Sequence, residues 1–156
     1  GKPDTIIHKI LKQIKIQIQD NGEPMKGVNS IFSFFSKIGL PMAIASSSHA
    51  EIIDQVTSKF DLDQYLTIKH SAEHEKHGKP HPDVYLSTAK KLHISPEEAL
   101  VFEDSITGMI SAKAAKTVCV AVPAPQHTND PRVCISDYQI KSLDEFDQTL
   151  WKKINK

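Results

Sequence analysis

Pro41-Met42-Ala43-Ile44-Ala45-Ser46-Ser47-Ser48 decides how this chain folds. A short, almost unbroken apolar run is what a strand of a parallel sheet needs when both faces of the sheet are covered. The serines that follow break the run, and they are also residues that can cap a helix over residues 49–60. Upstream, Val28, Ile31, Phe32, Phe34, Phe35 and Ile38 recur at helical spacing up to Gly39. Before them, residues 22–27 read as a linker. Ile6, Ile7, Ile10, Leu11, Ile14 and Ile18 predict an amphipathic helix over about residues 4–20, ending at Asn21-Gly22.

Downstream the alternation repeats. A strand is expected at 65–69, a polar loop at 70–82 and a helix at 83–92. Ser95-Pro96-Glu97-Glu98 reads as a capped turn, followed by a strand at 100–102, a helix at 106–115, a strand at 118–122 and a last helix at 143–154. Strands alternating with helices imply a parallel three-layer α/β sheet, whose ligands bind outside the carboxyl ends of the strands.

The 156 residues carry 19 basic and 19 acidic side chains, a formal net charge of zero, and no basic stripe. Neither nucleic acid nor an anionic membrane is an electrostatically favoured partner; a small soluble ligand is. The longest apolar stretches, 41–45 and 117–125, fall far short of the roughly 20 residues that cross a bilayer. Gly1-Lys2-Pro3-Asp4 opens no signal-peptide-like apolar region, so the cytoplasm is the default location. Cys119 and Cys134 each sit in a strand-like apolar run, and the expectation for both is a buried, inert thiol.

Three strand ends carry polar groups. Ser46-Ser47-Ser48 offers hydroxyls and backbone N–H groups to an anion, or serves only as a helix cap. Lys79, in Gly78-Lys79-Pro80-His81-Pro82, rides on a loop stiffened by two prolines and suits a phosphoryl oxygen; its alternative is a solvated surface lysine. Glu103-Asp104 places two carboxylates side by side with no basic residue beside them in sequence, which suits magnesium, or else puts negative charge at a helix N-terminus. His70, His74, His77 and His81 fall within one loop, and the reading for them is a solvated, partly protonated segment rather than a metal site.

Ala45-Ser46-Ser47-Ser48, then Gly78 to Tyr85, then Val101 to Gly108 resemble, in this order and spacing, the second, third and fourth motifs of haloacid dehalogenase-type phosphatases with a helical cap. Val122-Pro123-Ala124-Pro125 with Asn129-Asp130-Pro131-Arg132 is similar to the branch acting on hexitol phosphates and 2-deoxyglucose-6-phosphate. The resemblance covers about residues 22–150. It implies a Rossmann-like core over residues 22–156, preceded at 1–21 by the last helix of the cap. It also implies phosphate contacts from Ser46, Ser47 and Lys79, magnesium at Asp104 with Glu103 ligating or supporting it, and close packing at Gly108. The family's small residue near position 116, often glycine, is here Lys116, so that turn is expected to differ.

The family also implies an Asp-x-Asp-Gly motif on a first, central strand, supplying a nucleophile and an acid/base. No such motif occurs in this sequence. The sheet is therefore expected to lack that strand between those ending at Ser46 and Glu103, leaving two apolar edges unpaired, and these residues alone are expected to be inactive. The implied substrate is a small sugar or polyol phosphate. Two alternatives stand: a β-phosphoglucomutase-type phosphomutase, and a non-catalytic phosphate-binding or interaction protein.

Overall fold

The computed structural model describes residues 3–156, with the side chains of residues 5 onward. Gly1 and Lys2, counted above with the first segment, lie outside the described residues. Helix α1 (Pro3–Asn21) leads through a short linker to α2 (Val28–Lys37), β1 (Met42–Ser46), α3 (Ala50–Lys59) and β2 (Leu66–Ser71). Then come α4 (Asp83–Leu92), β3 (Leu100–Glu103), α5 (Ile106–Ala114), β4 (Val118–Ala121), β5 (Tyr138–Gln139) and α6 (Gln148–Ile154).

All strand pairings are parallel, as the apolar runs required, but the strands form two sheets, β1-β2 and β3-β4-β5. Among the described residues β1 pairs only with β2, and β3 only with β4. Shared cores nevertheless hold both sheets in one layer. Ala45 of β1 and Val101 of β3 pack against the cluster of Val84, Tyr85, Met109 and Cys119 on one face. On the other face Met42 and Phe102 pack against Ile31, Phe35, Val120 and Phe146. Phe102 stacks edge-on at 6.0 Å from Phe35 and 5.2 Å from Phe146. Each such pair adds about 0.5–1.5 kcal/mol beyond its buried area.

Helix α1 lies against α3 through polar contacts. Lys15 Nζ donates to Glu51 at 3.2 Å, and Lys59 Nζ donates to the carbonyls of Ile18, Gln19 and Gly22 at 2.6, 2.9 and 2.8 Å. The lysine thus bonds carbonyls at and just beyond the C-terminus of α1, among them the Gln19 carbonyl. Among the described residues no helix is long and apolar enough to cross a membrane.

Several expectations are corrected. The serine triplet does not cap α3: His49 is the N-cap without a side-chain bond, and the Ala50 N–H is taken by Glu73 Oε1 at 3.3 Å. The expected helix at 143–154 is interrupted: a 3₁₀ turn at Leu143–Glu145 precedes α6, which Asp147 caps by accepting the Leu150 N–H at 2.8 Å. Strand β5 was not anticipated, because two residues are too short for a periodic signal. Cys119 is buried as expected, but Cys134 is exposed, since the 3₁₀ turn Pro131–Ile135 buries Val133 and turns Cys134 outward. His70 is not solvated: β2 runs on to Ser71, carrying His70 into the interior between Glu75 and Lys91. Burial pushes the Glu75 carboxyl up, yet hydrogen bonds from Ser87 and His70 outweigh it and hold it below its ordinary range.

Lys116 takes up the left-handed conformation that glycine usually adopts after a helix, with φ 65°. Its N–H donates to Lys113 O at 3.0 Å and the Thr117 N–H to Ala112 O at 3.1 Å, so α5 ends in the usual closing pattern with a lysine in place of glycine.

Candidate active site

The parallel register brings Ser46 opposite Ser71 at the carboxyl end of one sheet, while Glu103 ends β3 in the other. Between these ends lies an open cleft of about 390 Å³, lined by Ala45 to Ser48, Lys79 and Phe102 to Ser105, with Thr107. Ser46, Ser47, Lys79, Glu103 and Asp104 all line it, so the fold assembles in one place every site residue expected from the sequence.

Lys79 spans the interval between the sheets. Its Nζ donates to the Ala45 carbonyl at 3.2 Å, to the Tyr85 hydroxyl at 2.9 Å and to Glu103 Oε1, and it sits 4.7 Å from the centre of the Tyr85 ring. The Tyr85 hydroxyl in turn donates to Glu103 Oε1. Side-chain exposures of 11% for Lys79 and 6% for Glu103 make this a nearly dry ion pair, whose disruption costs far more than that of a surface pair. Burial, reinforced by the Glu103 charge, pushes the Tyr85 hydroxyl well above its ordinary range and keeps it a donor. The same two causes push the Cys119 thiol up to about 12.

This revises the sequence argument for Glu103-Asp104. A cation does stand beside the pair, and it is Lys79, from a loop 24 residues upstream. Glu103 is occupied by Lys79 and Tyr85, and its other oxygen accepts from Ser105 Oγ at 3.3 Å. Asp104 is exposed to the cleft, its carbonyl fixed by the Ala124 N–H at 3.1 Å. The close packing expected at Gly108 is against this same carboxylate: a Cβ there would lie 1.9 Å from Glu103 Oε2.

The serine loop is held more lightly. Ser46 Oγ accepts from the Ser48 N–H at 3.1 Å, and Ser71 Oγ donates to Ser48 O at 2.6 Å. Ser71 and Tyr85 were missed as supporting residues. The Tyr85 signal was its position two residues into a helix that begins beside Lys79; Ser71 gave no signal, because only the β1-β2 register brings it near Ser46.

The family model described as haloacid dehalogenase-like hydrolase matches residues 2–122. The chain belongs to this family. Hexitol phosphatase B of Escherichia coli K12 is 33% identical over 141 residues, which are 90% of this chain and 64% of that protein. Hexitol phosphatase A of the same strain is 33% identical over 80% of this chain and 56% of its own length. The haloacid dehalogenase-like chain thus spans less than two thirds of these relatives. Among solved structures, a family IA hydrolase of Entamoeba histolytica superposes with a TM-score of 0.81 at 22% identity, covering 99% of this chain and 72% of that one. CbbY of Rhodobacter sphaeroides, solved with phosphate, gives 0.81 at 21%, covering 92% and 65%. At these identities the two structures attest to the fold.

Proposed function

We propose that this chain supplies the phosphate- and metal-binding half of a phosphomonoester hydrolase site acting on small sugar or polyol phosphates. The carrying observation is the cleft in which Lys79, the serine loop and the exposed Asp104 converge from three strand ends. In this reading the Lys79 ammonium, held by Glu103 and Tyr85, faces a phosphoryl oxygen, and Ser46 with the backbone of Ser47 binds its neighbours. The similarity to the hexitol phosphatases supports a sugar or polyol ester as substrate.

The donor set fits magnesium held jointly with a phosphate, because one free carboxylate, Asp104, stands in a cleft open to water. Bound there, the ion would neutralise charge on the phosphoryl group. Glu103 is better read as the residue that positions Lys79. Residues 1–21 read as a remnant of a helical cap, and residues 22–156 as the core.

Among the described residues, the cleft's carboxylates are Glu103, held by Lys79, and Asp104, assigned to the metal. An attacking carboxylate on an additional strand between β1 and β3 would complete the site. The test is hydrolysis of p-nitrophenyl phosphate with magnesium by these residues alone and by a version extended upstream. The expected result is turnover from the longer form only, abolished by Lys79→Ala or Asp104→Ala. Near-normal rates in those variants would remove both residues from the site, and activity of the short form would overturn the division into halves. Phosphate binding without turnover by the longer form would favour a non-catalytic binding protein.

A further inference from the structure

The loop that turns Lys79 inward turns two histidines outward. His77 and His81 flank it in sequence, their side chains about half exposed at 49% and 46%, and their rings stand 4.4 Å apart. A backbone bond from His81 N–H to Gly78 O at 3.0 Å closes the turn that brings them together. Asp83, the first residue of α4, sits between them, with Oδ2 at 3.2 Å from His77 Nδ1 and Oδ1 at 2.9 Å from His81 Nδ1. Among the described residues this is the one group of three ligating side chains whose donor atoms lie within 4.8 Å of one another.

We infer that His77, His81 and Asp83 form a binding site for a borderline divalent transition ion, zinc foremost, separate from the cleft of Asp104. The donor chemistry selects the ion class: two imidazoles and one carboxylate suit zinc, nickel or copper, whereas magnesium prefers oxygen alone. The spacing fits as well. Bonds of about 2.1 Å to zinc put tetrahedral ligand atoms roughly 3.4 Å apart, near the two nitrogen–oxygen distances already present. Three donors within residues 77–83, a short segment stiffened by Pro80 and Pro82, need little reorganisation, and exposure leaves a fourth position for water. His49 and His74 also flank one carboxylate, Glu73, at 2.6 and 3.3 Å, but they do not form such a group. Occupancy would tie both flanks of the Lys79 loop to α4.

The experiment is calorimetric titration of the chain with zinc, with millimolar magnesium present, alongside visible absorption of the cobalt(II) form. Saturable one-to-one binding is expected, weakened at least about tenfold by His77→Ala or His81→Ala and lost in the pair. His49→Ala, His74→Ala and Asp104→Asn should bind as the parent does. The ligand side chains are exposed, and His77→Gln with His81→Gln repeat the test in isosteric form should an alanine variant unfold. Affinity unchanged in the His77 and His81 variants, or zinc lost on Asp104→Asn, would overturn the assignment.

Discussion

The two strand ends that face each other across the cleft are built in opposite ways. The end of β3 is locked: Glu103 is nearly dry, paired with Lys79, bonded by Tyr85 and Ser105, and pressed against Gly108. The end of β1 is open, a half-exposed serine loop held by one internal bond and by Ser71. A charge that must stand at a fixed point needs a rigid, dehydrated seat. A row of N–H and hydroxyl donors needs only access to its anion. Their stability costs should therefore differ sharply.

Lys79→Ala, which strands the Glu103 carboxylate, is expected to cost about 3–5 kcal/mol in urea unfolding. Ser46→Ala should cost no more than about 1 kcal/mol, and equal losses would break the contrast. Gly108→Ala comes next at about 2–3 kcal/mol, because the carboxylate it would meet is pinned from two other sides. A loss below about 0.5 kcal/mol would show that Glu103 has room to move. Ser71→Ala should cost roughly 1 kcal/mol, with faster amide hydrogen exchange confined to the serine loop. Exchange that also quickens at Glu103 would mean the two ends are one unit. Smallest is Lys116→Gly, at the far end of the helix that starts from the locked end. Relief of the left-handed lysine is expected to raise stability by about 0.5 kcal/mol, with no change in phosphate binding. A loss of stability there would contradict the observed φ.

Much of this was legible in the sequence, for local reasons. Helix α4 falls at residues 83–92 as expected, because Pro82 and Asp83 mark its start and its apolar positions keep helical period. The five residues expected at the site converge on one cleft because each ends or follows a strand, and a parallel sheet brings such positions together. What escaped was set by tertiary partners. The counter-ion of Glu103 comes from another loop, Glu73 takes over the capping of α3, and His70 is carried inward by two extra residues of β2. None of these leaves a mark on the residues beside it. The histidine loop shows the same limit from the other side. His70, His74, His77 and His81 look alike as a string, and only the fold sorts them into one buried, one beside Glu73, and two converging on Asp83.

The contact between Glu103 and Gly108 also constrains how this chain can vary over generations. A side chain at position 108 is costly while a full-length glutamate stands at 103, so the two sites should drift as a pair. Shortening Glu103 to aspartate withdraws the carboxylate by one methylene and opens room for an alanine at 108. The double substitution Glu103→Asp with Gly108→Ala should then fold better than Gly108→Ala alone, with the first change making the second permissible.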